Sequence, residues 1–219
     1  MCRIWAAAGA EVSGDWLPPG NVTRTRGADA AASVTRAEMV RRVLERQRLH
    51  DFKQGVCNYA AGGVCLSELK WAQAQGCPWG TSTCREAARK GHLAVLQWAL
   101  AHGCPWDEET CRYAALNGHL AVLQWARAQG CPWDRWTCAK AAENGHLAVL
   151  QWARAQGCPW DSYTCAYAAG CGHLAILQWA RAQGCPWDEL TCQEAEESGH
   201  LVVLQWARAQ GCPFYVGAL

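Results

Sequence analysis

Residues 104–130 read CPWDEETCRYAALNGHLAVLQWARAQG, and the chain writes this stretch again and again almost unchanged. Gly-His recurs at Gly91, Gly118, Gly145, Gly172 and Gly199, always 27 residues apart. Cys-Pro keeps the same step from Cys77 through Cys104, Cys131, Cys158 and Cys185 to Cys212. A fixed period of this length marks a solenoid, in which each unit buries its apolar faces against its neighbours. Function is then to be sought on a surface and not in a pocket.

Within one unit the helix signals are legible. Asp107 stands as the cap of a first helix, with Glu108 and Glu109 in the first turn, where the helix dipole favours negative charge. Cys111, Ala114, Ala115 and Gly118 fall at i, i+3, i+4 and i+7, a face of small residues that lets another helix approach closely. Asn117-Gly118 supplies the turn. A second helix, from His119 to about Gln129, carries Leu120, Val122, Leu123, Trp125 and Ala126 around more than half its circumference, so it is buried on several sides. Gly130 closes it, and Pro132 holds Cys131 extended as the chain reverses into the next unit. No room is left for a strand, and the expected class is all-α: a repeat solenoid of stacked helix-turn-helix units.

The repeat occupies residues 55–219 in about six units, the first of them worn, because Val64-Cys65 replaces Gly-His and Glu68 replaces a core Val. Residues 1–34, rich in Ala, Gly and Pro with Leu17-Pro18-Pro19-Gly20 as a breaker, are expected to be disordered. Thr35-Arg36-Ala37-Glu38 has the form of a capping box ahead of helically spaced Val40, Val43 and Leu44, which predicts a helix that caps the array over residues 35–54.

Charge narrows the function. Basic and acidic residues number 9 and 6 in residues 1–56, then 11 and 13 from residue 57 onward, so no basic field exists to track a nucleic acid. The longest uncharged run, Ser162 to Ala180, contains Gly170, Gly172, His173 and Gln178 and is one repeat unit; no membrane span is expected. The N-terminal apolar run is too brief for a secretory signal, so an intracellular, cytoplasmic protein is expected and Asn21-Val22-Thr23 is a chance glycosylation sequon.

At Ala114-Ala115-Leu116-Asn117-Gly118-His119-Leu120-Ala121-Val122-Leu123 the unit resembles an ankyrin repeat, whose Ala-Ala-x-x-Gly-His-Leu-x-Val-Val core has the same order and spacing. The likeness returns at Ala87-Ala88, Ala141-Ala142, Ala168-Ala169 and Ala195 and covers roughly residues 57–212. The Thr-Pro-Leu-His opening is absent, with Thr110-Cys111-Arg112-Tyr113 in its place, and the step is shorter than the usual 33. The resemblance implies helix pairs stacked without the ordinary projecting β-turn fingers, and a role in binding other proteins.

Trp stands in the Trp98 place six times and in the Trp106 place five times. Burying one such ring is worth on the order of 4–6 kcal/mol gross, so both are expected in the core. Twelve of the 15 cysteines are locked to the period and read as small buried apolar residues. The rival reading is a thiol-rich metal- or haem-responsive protein that uses the Cys-Pro and Cys/His positions. The spacing of zinc-ligand pairs does not recur, and no metal or other cofactor is expected. Hydrolase, zinc-protease, P-loop and dinucleotide motifs are lacking, and the five repeated His read as helix-start residues bonded locally; no enzyme is expected.

What differs between near-identical units is the row of exposed positions on the first helix: Glu109 and Tyr113, then Trp136 and Lys140, then Tyr163 and Tyr167, then Leu190 and Glu194. Residues four apart share a helix face, so these pairs form adjacent columns in an aromatic strip, the candidate contact with a protein partner. Finally, the last unit keeps Leu201, Val203, Leu204 and Trp206 with little chain after it, which predicts a sticky C-terminal face capable of self-association.

Overall fold

A computed structural model describes residues 50–63 and 66–214. Twelve helices follow one another in these residues, and no strand occurs among them. They form six pairs: α1 (His50–Gly62) with α2 (Leu66–Ala74), α3 (Thr81–Arg89) with α4 (Leu93–Ala101), α5 (Glu108–Leu116) with α6 (Leu120–Ala128), α7 (Arg135–Glu143) with α8 (Leu147–Ala155), α9 (Ser162–Gly170) with α10 (Leu174–Ala182), and α11 (Glu189–Glu197) with α12 (Leu201–Ala209). The expected disordered segment and most of the capping helix lie outside the described residues, although the last residues of that helix, from His50, belong to α1.

Both helices of a unit end the same way. The amide of His119 donates to the Ala114 carbonyl at 2.9 Å and that of Gly118 to Ala115, with Gly118 at φ +73°; Cys131 and Gly130 repeat the pattern on Ala126 and Arg127. This pair of bonds satisfies carbonyls that a helix end leaves open, and it needs a residue at positive φ, which Gly supplies without a Cβ clash.

First helices pack closely on the first helices of the units before and after them, through a face of small residues such as Cys111, Ala114 and Ala115, all fully buried. Second helices sit mainly on their own partners, filling the interior with Val122, Leu123 and Ala126 and their equivalents. First helices of consecutive units thus approach one another more closely than second helices do.

The tryptophans depart from the expectation of full burial. Each is half-buried on the margin of the core, where the linker ring meets the second-helix ring edge to face: Trp106 with Trp125 at 5.9 Å between centroids, Trp133 with Trp152 at 6.0 Å, Trp160 with Trp179 at 5.9 Å. Arg127, Arg154 and Arg181 then lie over the linker ring of the next unit at 4.1, 4.0 and 4.1 Å. The reason is size: a ladder of small Cys and Ala residues brings the helices too close to admit indole between them.

At the C-terminal end the expectation holds only in part. Val203 and Leu204 are buried within their own unit, at 3% and 5% exposure, whereas Leu201 is 62% and Val202 67% exposed. Phe214 stands in the linker Trp place under Arg208, at 5.1 Å.

Candidate interaction surface

Successive units are clasped at three points. His119 donates from Nε2 to the Arg89 carbonyl at 3.1 Å and His173 to that of Glu143 at 3.1 Å, each reaching the end of the preceding first helix. These histidines therefore do not bond locally, as their place at a helix start suggested; none caps its own helix. Cys131 Sγ donates to the Asp107 carbonyl at 3.4 Å, and Cys158, Cys185 and Cys212 do the same one unit further on each time. Arg85 forks onto Asp107 and Arg112 onto Asp134, with Nε–Oδ1 distances of 3.1 and 3.0 Å. Asp107 begins α5 as expected but gives its carboxylate to Arg85 and makes no cap bond. Burial works to raise its pKa, yet the guanidinium outweighs burial and holds the carboxyl below its ordinary value. Asp134, Asp161 and Asp188 do cap, accepting from Trp136, Tyr163 and Leu190 amides at 3.1, 3.2 and 3.2 Å.

These clasps bring part of the predicted strip together. Trp136 on α7 lies 5.3 Å from the Tyr163 ring and 6.3 Å from the Tyr167 ring on α9, and the two tyrosines are 6.0 Å apart. Lys140 sits 5.1 Å over Tyr167 while pairing with Glu143 at 2.6 Å. Arg135, absent from the sequence prediction, lies 5.4 Å from Trp136 and 6.0 Å from Tyr163 and pairs with Asp161 at 3.1 Å. Its signal was available: the place before Trp136 varies from unit to unit (Glu108, Arg135, Ser162, Glu189) as the chosen places do. Burial pushes the Tyr167 phenol up from its ordinary value, so it stays a neutral donor.

The flanking predictions stand apart from this cluster. Glu109 is paired with Arg112, and Tyr113 makes no ring contact. Leu190 is half-buried at the start of α11. Glu194 packs on Gly170, where a Cβ would meet it at 3.1 Å, and its charge lies near Tyr167. Sequence reasoning also passed over Thr83, Thr110, Thr137, Thr164 and Thr191, a fully buried column in perfect period, of which Thr83 donates to Asn58 Oδ1 at 2.8 Å.

No protein-family model and no curated protein sequence matches the chain. The chain is similar to a solved structure, the crystal structure of the human ASB11 ankyrin repeat domain, with a TM-score of 0.58 at 17% identity, over 71% of this chain and 83% of that one. The fold is that of an ankyrin-repeat array. The resemblance of the Gly-His segments thus carries to the stacking of the helix pairs in three dimensions. In this ankyrin-like array no helix among the described residues is long and apolar enough to cross a membrane.

The thiol reading finds no support in the array. The cysteines pair off in the interior, Cys84 with Cys104, Cys111 with Cys131, Cys138 with Cys158 and Cys165 with Cys185, and no group of three or more His, Cys, Asp or Glu among the described residues is arranged to hold a metal ion. The shared hydrogen bond and burial push up Cys84, Cys131, Cys138 and Cys165, and burial lifts Cys57 to about 11 and Cys212 to about 12. Thiolate is the form that ligates and attacks, so these groups are shielded twice. A water-soluble thiol reagent is expected to label few cysteines in the native protein and nearly all after denaturation. Rapid native labelling of most, or loss of helical circular dichroism on chelation, would contradict this.

Proposed function

We propose that the chain is a non-enzymatic scaffold that binds a protein partner through the exposed first-helix face of the array. The observation that carries this reading is the Trp136–Tyr163–Tyr167 cluster, flanked by Arg135 and Lys140, on the column of first helices. Aromatic rings with adjacent charges, held by neighbouring helices and partly open to solvent, have the composition of an interface hot spot. Glu109, Tyr113, Leu190 and Glu194 extend it along the same column as rim contacts. An intracellular partner suits a protein whose cysteines remain reduced.

The test is affinity capture with the immobilised protein, wild type against Trp136→Ala/Tyr163→Ala/Tyr167→Ala, scored by quantitative mass spectrometry. Interface anchors typically cost 2 kcal/mol or more each, so a specific partner should fall at least about thirtyfold in recovery. Identical capture by both proteins removes the cluster from the interface.

Self-association through the last unit is a second reading, favoured by Leu201 and Val202 standing open side by side. Leu201→Lys/Val202→Lys is expected to shift sedimentation toward the monomer; Val203→Lys is unsuitable because Val203 is buried. A wild-type protein that sediments as a monomer at all concentrations refutes it.

A further inference from the structure

The second helices carry a row of identical cations that the first-helix reading does not use. From Leu93 to Ala209 the second helices α4, α6, α8, α10 and α12 contain no Asp, Glu or Lys, and their only charged residues are Arg127, Arg154, Arg181 and Arg208. Carboxylates gather instead on the first helices and their caps. Arg127, Arg154 and Arg181 have one geometry: the guanidinium stacks on the next linker Trp, and Nη1 donates to the carbonyl of Cys131, Cys158 or Cys185. Their Nε and Nη2 make no hydrogen bond and no ion pair with any described residue. Of the acids that follow the stacked rings, Asp134 and Asp161 are held by Arg112, Arg135 and their own cap amides, and Asp188 by its cap amide. Arg208 differs, with a 3.3 Å contact to Glu196.

We infer that this row is a docking track for an extended acidic peptide segment with a carboxylate at every third residue. Stacking on indole fixes each guanidinium before any ligand arrives, so little side-chain freedom is left to lose, and the planar fork suits a carboxylate. The units stack through their first helices, which pack about 10 Å apart, and an extended chain rises about 3.3 Å per residue, so about three residues advance one unit. Uniform residues in every unit fit a periodic ligand. The varied strip on the first helices fits a single shape.

The probe is a fluorescein-labelled 12-residue peptide with Glu at every third position and Gly-Ser between, followed by polarisation at low salt. Binding is expected to weaken roughly tenfold in Arg127→Gln/Arg154→Gln/Arg181→Gln, the combined worth of three partly exposed pairs. It should be unchanged in Tyr163→Ala/Tyr167→Ala, and several-fold weaker for a peptide of the same composition with its Glu residues consecutive. If the triple variant loses its helical circular dichroism, Arg154→Gln alone should still weaken binding measurably. No saturable binding, an arginine variant that binds like wild type, weakening by the tyrosine variant, or equal affinity for the clustered peptide or for single-stranded oligothymidylate would each overturn the proposal.

Discussion

An array from which residues 111–137 have been cut in phase, so that Thr110 joins Cys138, is expected to fold and melt cooperatively with a modestly lower midpoint. The cut removes one complete set of clasps and one pair of helices, and it joins a first-helix surface to an equivalent one. In a linear stack stability is close to a sum over units and joints, so the loss is one share. Removing Glu108–His119 instead, which is α5 with its turn, leaves Val122, Leu123 and Ala126 of α6 without their partner. Uncovering Val122 and Leu123, at most 2% exposed, forfeits about 1.5–3 kcal/mol each, enough to unfold the neighbourhood. Thermal and urea denaturation followed by circular dichroism compare the two; equal damage from both would show a core shared by the whole chain.

A single methyl group should do nearly as much at one particular glycine. A Cβ on Gly91 would lie 2.7 Å from His119 Nδ1, and Gly91 sits at φ +75°. Gly91→Ala must therefore bear the left-handed backbone, about 1–2 kcal/mol, displace the imidazole, and forfeit its bond to the Arg89 carbonyl, about 1 kcal/mol more. We expect a loss of roughly 3 kcal/mol. Gly103→Ala is the control, at φ +79° with nothing within 4 Å, and should lose only the backbone part. Equal urea midpoints for the two variants would mean that the histidine socket contributes nothing. The His146 socket also responds to acid. Burial holds His146 below its ordinary 6.5, helped by His119 and His173 nearby and opposed by its bond to Leu116. The unfolded chain then takes up the proton first, so this contribution is complete above pH 6.5 and fades as pH falls through the folded value.

The period, the helix pairs and the small-residue face could all be read from residues 104–130, because each is a local pattern repeated often enough to exclude accident. Pairing across units was harder. Nothing in Gly118-His119 says that the ring will reach a carbonyl 30 residues earlier, since that contact depends on how far apart two helices settle. The tryptophans misled for the same reason: their bulk announced a core, but Cys and Ala set a separation that left indole on the margin. Of the strip, Trp136, Lys140, Tyr163 and Tyr167 converge because their columns are adjacent, while Tyr113 lies near Arg85 and Arg89 of the preceding unit. Arg135 was missed although the reasoning that picked Trp136 applied to it equally.

The clasps between units have a bearing on how fast the chain finds its structure. Arg85 to Asp107, Cys131 to Asp107 and His119 to Arg89 close separations of 22, 24 and 30 residues, and their counterparts elsewhere close similar ones. No contact of this kind grows longer as units are added, so the loop-closure entropy of each step is the same anywhere along the chain. Relative contact order falls with every added repeat, folding can start in any interior pair that happens to form first, and it spreads outward at a pace that the number of units does not slow.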